Sequence, residues 1–400
     1  MRLRSLQALC LLNFFIADVR DGLGPFLGIF LVSHNWKAEE IGLMMTLGGL
    51  AGLIATFPSG LIVDATCHKR MILILSSMLI TLSTLALWYF PTTGIVTTAQ
   101  IITGIAAAIV APAITGLTLG ITGQKNFLKQ MGRNEAFNHS GNMSVALIAA
   151  VTCWIWGTDS VFILMTAMAT CAIVCTFAIN KNDVDHDVAR GINSSEGTAV
   201  SVSVMGLLKR PELIVIGVTL LLFHLANAAQ LPLLSMQFAS SHMNSLLTPG
   251  TYAALTVAIS QAVMIPVALV TARYASTFGY SNLFVVALIV LPIRAAIACL
   301  WSDEFIIFPV QILDGISAGI LGVAVPGLIA SMFNGTGHIN AVLGIVMLLQ
   351  GVGASLSPGL AGYIVSNKTW SFAFASLSLI ALFALAIWIV FGRRYKLNKN

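Results

Sequence analysis

The amino-acid sequence predicts an all-α integral membrane protein whose twelve transmembrane helices form two pseudo-symmetric six-helix halves. Hydrophobic residues make up 58% of the 400 residues and charged residues only 9%, whereas a soluble domain carries about 25% charged residues. Twelve apolar runs are long enough to cross a bilayer, which takes about 20 helical residues. The third observation is a repeat of short motifs between the two halves of the chain.

The twelve runs fill most of the chain and leave no room for a sizeable soluble domain. The first run follows two arginines as a secretory signal does, but it is too long for a signal and meets charges instead of a cleavage site. We therefore expect a retained first helix. The runs lie at about 6–32, 40–63, 71–90, 95–121, 130–157, 160–179, 212–238, 249–274, 282–301, 304–331, 338–365 and 370–391.

Basic residues are distributed unevenly between the two sides of the predicted membrane. Successive loops must lie on opposite sides of the membrane. With this assignment, sixteen Lys and Arg residues fall on one side, whereas Lys37 and Lys368 fall on the other. Because basic loops stay in the cytoplasm, this bias predicts that both termini are cytoplasmic. The compact chain suits a bacterial inner membrane. The bias also explains the net charge of +5, so that charge does not indicate nucleic-acid binding.

The longest polar segment divides the chain into a bundle at 1–180, a cytoplasmic linker at 181–211 and a second bundle at 212–400. The motif Gln100-Ile-Ile-Thr-Gly-Ile-Ala-Ala is similar to Gln311-Ile-Leu-Asp-Gly-Ile-Ser-Ala, and Phe14-Phe-Ile-Ala-Asp is similar to Phe223-His-Leu-Ala-Asn. The offsets, 211 and 209, are almost equal. A tandem repeat in one orientation predicts a substrate site between the halves near mid-membrane.

No metal or cofactor site is expected. The six cysteines have no zinc-ligand spacing, and the alternating acids of the linker (Asp183, Asp185 and Asp187) lack the Gly and the final Glu of a calcium loop. No phosphate-binding loop occurs, so we expect no ATP hydrolysis by this chain.

Charged residues interrupt the first apolar run at Asp18, Arg20 and Asp21. A charge at the centre of a membrane helix costs about 2.5–3.5 kcal/mol on the most lenient scale, so such residues persist where they face protein or water. Asp18 and Asp21 lie on nearly one face, whereas Arg20 points about 160° away from Asp18. We expect Asp18 to line a cavity, with structural polar contacts as the alternative.

The equivalent region of span seven carries His224, Asn227 and Gln230 within a sector of about 120°. Spans one and seven therefore present matched polar patches at matched depth, as expected for a substrate or proton pathway. For Asn227 also, a structural polar contact remains the alternative.

Span five has the densest polar face, with Asn134, Asn138 and Asn142 on one side and Glu135 and His139 next to them. Glu135 and His139 are four residues apart and can touch. Because the charge of His changes near neutral pH, this pair is a candidate proton relay. A hydrogen-bonded seam between helices is the alternative.

Span ten places Gln311, Asp314 and Ser317 on one side, with Asp314 about 15 Å below the outer acids of this span. The repeat puts Thr103 at the position equivalent to Asp314, so the fold does not require an acid there. We expect Asp314 to be a protonatable coupling group. The alternative is a structural ion pair with Arg294, which lies at similar depth in span nine.

The loop after span two, Gly60-Leu-Ile-Val-Asp64-Ala-Thr-Cys-His-Lys69-Arg70, is similar to the G-x-L-x-D-R-x-G-R-K/R signature of the major facilitator superfamily. The resemblance extends over the whole chain in span count, central linker and repeat. It implies that Gly60, Asp64, Lys69 and Arg70 form a gating loop. Ala65 and Cys67 depart from the signature, and span five lacks the Gly-Pro signature of the antiporters.

The resemblance implies a secondary active transporter of a small organic solute, not an enzyme, that works by alternating access of its two halves. Carboxylates outnumber the cationic side chains predicted inside the membrane, which favours a neutral or cationic substrate, and Asp314 as a coupling acid would make the transporter proton-coupled. We expect a monomer whose partners are solute, protons and lipid. A (multi)drug or metabolite exporter is favoured over the alternatives, an importer of a nutrient or siderophore and a non-transporting membrane sensor.

Overall fold

The computed structural model describes residues 2–21, 23–189, 210–241, 245, 247–301, 303–333 and 339–392. The side chain of Asp21, most of the predicted linker and the basic residues after 392 lie outside this description. Every regular element in the described residues is helical. The prediction of an all-α polytopic protein is therefore confirmed.

The described residues of the first half form seven helices and a short 3₁₀ turn at Lys181–Asp183. A break at Gly24 (φ 46°) separates α1 from α2 within the first predicted span. Gly123 (φ 69°) interrupts the 64-residue helix α5 between predicted spans four and five. The helices are α1 (Arg2–Asp21), α2 (Pro25–Ser33), α3 (Ala38–Ala65), α4 (Lys69–Tyr89), α5 (Thr93–Trp156), α6 (Ser160–Ala178) and α7 (His186–Ala189).

The second half contains seven further helices in its described residues, a 3₁₀ turn at Glu304–Ile306 and a π-helical end at Trp388–Gly392. A two-residue break again divides its first span, between α8 and α9. The helices are α8 (Pro211–Asn227), α9 (Gln230–Ser241), α10 (Pro249–Phe278), α11 (Tyr280–Leu300), α12 (Ile307–Met332), α13 (Ile339–Asn367) and α14 (Trp370–Ile387).

Ten helical stretches among the described residues are long and apolar enough to span a membrane. The two other predicted spans correspond to α1 with α2 and to the part of α5 after Gly123. These two stretches carry charged residues such as Asp18, Arg20 and Glu135, which lower their mean hydropathy. The helices are therefore consistent with twelve spans.

Contacts between Cα atoms divide the chain into two compact units. The first unit is Met1–His34, Leu47–Gly197 and Leu247–Ala254, and the second is Asn35–Thr46, Thr198–Leu246 and Leu255–Asn400. Each unit thus includes a short helical segment from the other half of the sequence. In the first, Thr251 donates a hydrogen bond to the carbonyl oxygen of Ala150 (3.0 Å). In the second, the Gly359 N–H donates to Thr46 (2.9 Å).

Both units use glycines at closely similar helix crossings. A Cβ atom at Gly104 would overlap the carbonyl oxygen of Gly48, and one at Gly315 would lie 2.5 Å from the carbonyl oxygen of Ser260. At a second pair of crossings, a glycine again packs against a backbone carbonyl of the neighbouring helix. Gly141 lies against the carbonyl of Phe14, and Gly353 lies against that of Leu221. These glycines permit the close helix approach that membrane packing favours, and they repeat along the chain at the spacing of the sequence motifs.

Replacing Gly353 by alanine is expected to destabilise the second unit, because its new Cβ would overlap a backbone oxygen that cannot rotate away. Overpacking of this kind costs about 1–3 kcal/mol, which should lower the apparent melting temperature in detergent by several degrees. Gly344 is the matched control on the same helix, since a Cβ there meets no atom within 4 Å. Equal melting temperatures for the two alanine variants would contradict the close crossing.

Candidate functional site

A cavity of about 350 Å³ lies within the second unit, where α8, α12 and α13 contribute its walls. Its polar side chains are His224, Asn227, Asp314, Ser317 and Gln350. Small-molecule sites in proteins typically have volumes of about 300–1,000 Å³ and a few polar groups that orient the ligand. The size and polar lining of this cavity therefore suit a small organic molecule.

The rest of the lining is apolar. Phe223 comes from α8, Leu321 and Val325 from α12, and Leu343 and Met347 from α13. An aromatic ring and a flexible thioether can contact the apolar part of a ligand, while the amides of Asn227 and Gln350 offer both donors and acceptors. The cavity is thus amphipathic.

A buried ion pair forms part of the cavity wall. The Nη1 atom of Arg294 lies 2.6 Å from Oδ1 of Asp314. The Arg294 side chain is 1% exposed, whereas that of Asp314 is 15% exposed and lines the cavity. The carboxylate is therefore the member of the pair that a ligand or a proton can reach.

Two further side chains complete the hydrogen bonding of this pair. Arg294 Nη1 also donates to Oδ1 of Asn227 (2.6 Å), and the hydroxyl of Ser260 donates to Oδ2 of Asp314 (2.6 Å). Both carboxylate oxygens thus accept a bond. An ion pair in a low-dielectric interior is tolerated when such bonds accompany it, and the formal charges of Arg294 and Asp314 cancel.

The local sequence explains how Ser260 reaches the acid. Gly315 directly follows Asp314 on α12, and a Cβ at Gly315 would lie 2.5 Å from the carbonyl oxygen of Ser260. The missing side chain lets α10 approach α12 closely. The hydroxyl of Ser260 therefore comes within hydrogen-bonding distance of the carboxylate.

Several buried polar atoms near these positions in sequence have no hydrogen-bond partner among the described residues. They are both side-chain amide atoms of Gln311, Oε1 of Gln261 and Nε of Arg294. Gln311 is completely buried one helical turn before Asp314. Because unsatisfied buried polar groups are costly, these helices carry hydrogen-bonding capacity beyond what the ion pair uses.

The three predicted polar residues of span seven separate in the structure. His224 and Asn227 line the cavity, whereas Gln230 is completely buried and donates to the carbonyl oxygen of Ala226 (2.9 Å). The helix break between α8 and α9 falls at residues 228 and 229, just before Gln230. The uniform helical sector assumed from the sequence therefore ends before Gln230.

In the first unit, the predicted residues of span five lie on α5 after Gly123. Asn138 is buried, Asn142 is half-buried, and Nδ1 of the half-buried His139 has no partner among the described residues. Glu135 is exposed. Asn134 donates to the hydroxyl of Thr118 (2.9 Å), so part of this polar face forms a bond across the two segments of α5.

In span one, Asp18 and Arg20 are half-buried on α1, and both take part in polar or electrostatic interactions. The Asp21 side chain is not among those described. Whether Asp18 lines a substrate path stays a prediction.

The residues of the predicted gating loop lie at the end of α3 and the start of α4. Lys69 is completely buried and donates to the carbonyl oxygen of Thr66 (2.8 Å), while Arg70 donates to the end of α6. Asp64 is exposed and Gly60 is half-buried. The gating role of these four residues also stays a prediction.

Ser260 was missed by the sequence analysis. One serine among the small polar residues of a mainly apolar helix carries no pattern that distinguishes it from an ordinary packing residue. The only sequence signal is indirect, because the Asp-Gly pair at 314 and 315 marks a place where another helix can approach.

A helical membrane protein with an amphipathic cavity and a buried charge pair has the features of a solute transporter. The family model of the Major Facilitator Superfamily matches residues 9–293 and 216–400, and the chain belongs to this family. It is 37% identical over 391 residues to an uncharacterized MFS-type transporter of Mycobacterium tuberculosis, found in the strains CDC 1551 and H37Rv. The match covers 97% of this chain and 93% of the relative. The expectations of a transporter and not an enzyme are therefore confirmed.

Solved structures share the fold. An aspartate-to-alanine mutant of the nucleoside transporter NupG has a TM-score of 0.79 at 14% identity, over 96% of this chain and all of that one. A second NupG structure has a TM-score of 0.74 at 13% identity, over 97% and 98% of the two chains. The facilitator fold predicted from the sequence is thereby confirmed.

Proposed function

We propose that this protein is a proton-coupled secondary transporter of a small uncharged or cationic organic solute, with Asp314 as the coupling acid. The single observation that carries the proposal is the position of Asp314. Its carboxylate lies in the cavity wall and is bonded to a buried arginine. A proton that reaches this acid removes the charge that balances Arg294.

The energetic cost of protonating Asp314 supports the coupling of proton movement to solute movement. Once Asp314 is protonated, Arg294 keeps its charge in a nearly solvent-free environment, where an unbalanced ion is costly. The protonated and ionised forms therefore favour different arrangements of α11 and α12. A differential free energy of this kind is what alternating access requires.

The cavity also supports a class of solute. The formal charges of Asp314 and Arg294 cancel, and the described lining residues include no cluster of cationic side chains that could bind a phosphate group. Amide, imidazole and hydroxyl groups beside Phe223 suit an uncharged solute with both ring and polar groups. The sequence favours a drug or a metabolite as the exported solute. The likeness to NupG adds a nucleoside-type solute to these candidates.

The basic-residue bias supports cytoplasmic termini, and the mycobacterial relatives support a bacterial inner membrane. We propose that the protein functions there as a monomer. Transport assays with proton gradients of either sign will determine whether the protein exports or imports its solute.

The experiment uses purified protein in liposomes that contain a pH-sensitive dye, challenged with nucleosides, organic cations, neutral amphiphiles and sugars. Substrate-evoked proton movement with one class is expected and would identify the cargo. Solute movement without proton movement would show that the protein is a transporter and would contradict proton coupling. Binding without movement of solute would favour the membrane-sensor alternative.

Filling the cavity should block transport. Ala318 lines it from α12, so Ala318→Phe is expected to lower the initial rate of uptake or efflux at least tenfold. Ala330 lies on the same helix with an exposed side chain, and Ala330→Phe should leave the rate within about twofold. Similar rates for both variants would place the solute elsewhere.

A further inference from the structure

A second cavity, of about 210 Å³, lies in the first unit at the junction of α3 with α4. Four basic side chains line it: His68 and Arg70 from the start of α4, and Lys181 and His186 from the region after α6. No acidic residue is among its lining residues. The candidate substrate cavity, by contrast, belongs to the second unit.

Two acids close in sequence to Lys181 and His186 do not line the cavity. Asp183 is buried and accepts a hydrogen bond from Ser5 (2.7 Å). Asp185 accepts a bond from the backbone N–H of Val188 (3.1 Å) at the start of α7. Because no acid is among the described lining residues, the charges of Arg70 and Lys181 produce a local positive potential.

Two side chains at this site have a nitrogen atom without a hydrogen-bond partner among the described residues. Arg70 uses Nε and Nη2 to bind the carbonyl oxygens of Thr176 (3.1 Å) and Phe177 (3.0 Å), which leaves Nη1 without an acceptor among the described residues. The Nδ1 atom of His186 is buried and also has no partner there. An anionic oxygen in the cavity would satisfy both groups.

The other side of the cavity is apolar. Ile74 and Leu117 line it as buried side chains, whereas Met71 and Phe177 are 47% and 58% exposed. These two exposed side chains sit at the ends of membrane-spanning helices. The apolar wall therefore continues onto the surface that faces lipid.

We propose that this cavity binds an anionic phospholipid of the adjacent leaflet. Its phosphate contacts Arg70, Lys181 and His186, and one acyl chain follows the wall formed by Met71 and Phe177. Basic pockets between membrane helices recognise anionic headgroups in this way, and a basic residue near the membrane surface contributes about 1 kcal/mol. A free phosphate ion shares the headgroup chemistry but gains nothing from the apolar wall.

The test measures binding of phosphatidylglycerol to the purified full-length protein in detergent, with phosphatidylcholine and inorganic phosphate as separate probes. Saturable binding is expected for phosphatidylglycerol alone. Lys181→Gln should raise the Kd about fivefold, the equivalent of about 1 kcal/mol. The matched control is Lys129→Gln, since Lys129 is also an exposed lysine of the first unit but does not line the cavity.

A second variant tests the apolar wall without changing charge. Met71→Trp should narrow the cavity and weaken lipid binding severalfold, while circular dichroism and melting temperature remain those of the native protein. Equal effects of Lys181→Gln and Lys129→Gln would overturn the proposal in favour of nonspecific attraction. Equal affinities for inorganic phosphate and lipid would overturn it in favour of a free-anion site. Neither result depends on transport, so the proposed function is tested separately.

Discussion

Asp314→Asn is expected to abolish proton-driven accumulation of substrate while leaving substrate binding and equilibrium exchange. Asparagine has nearly the shape of the acid, and its oxygen can still accept a bond from Arg294, but it cannot release a proton. We expect accumulation in liposomes to fall at least 100-fold, to the level of empty vesicles, whereas the Kd for substrate changes only severalfold.

The matched control for this substitution is Asp303→Asn. Asp303 is an exposed acid at the start of the same span, and its side chain caps the backbone N–H of Phe305 (3.0 Å). Because asparagine caps equally well, this variant should accumulate substrate like the native protein. Full accumulation by the Asp314→Asn protein would contradict a coupling role for Asp314. It would favour the alternative, in which Asp314 is only the structural partner of Arg294.

Arg294→Leu is expected to destabilise the second unit strongly. It removes the cation that balances Asp314 and the donor that binds Asn227. Breaking a buried ion pair by removing one partner costs about 3–5 kcal/mol. The measurement is thermal or denaturant unfolding in detergent, and Arg273→Leu serves as the control because Arg273 is exposed on α10.

The double variant Arg294→Leu with Asp314→Asn separates the two roles of the pair. If the loss of stability comes from an unbalanced carboxylate, the double variant should recover most of the stability lost in Arg294→Leu. Recovered stability with accumulation still absent would fit a coupling acid held by a structural arginine. No recovery would contradict the charge-balance argument and point to the packing of the arginine stem.

The sequence located the charged residues of this site because charge inside an apolar helix is costly and therefore rare. Asp314 and Arg294 were identified in this way, within spans that their apolar runs had predicted. The geometry between helices could not be obtained, because helical periodicity describes one helix at a time. Ser260 was missed for this reason.

Local backbone breaks limited the remaining predictions. Gln230 was assigned to the same face as Asn227 on the assumption of one continuous helix, but α8 ends at Asn227 and α9 begins at Gln230. The long run of polar residues in span five was located correctly on a helix. The interruption at Gly123 depends on a backbone conformation that the residue type permits but does not require.

The glycine crossings are common to both units, but the ion pair is not. At the repeat spacing, Thr103 and Ser83 stand where Asp314 and Arg294 stand, and Gly48 occupies the crossing position of Ser260. The small residues at these crossings follow the tandem six-helix repeat of the sequence. The acid and the arginine, by contrast, stand in the second copy of the repeat only. Evolutionary change in cargo is expected to appear first as substitutions around α10, α11 and α12, while the glycines of both copies stay fixed.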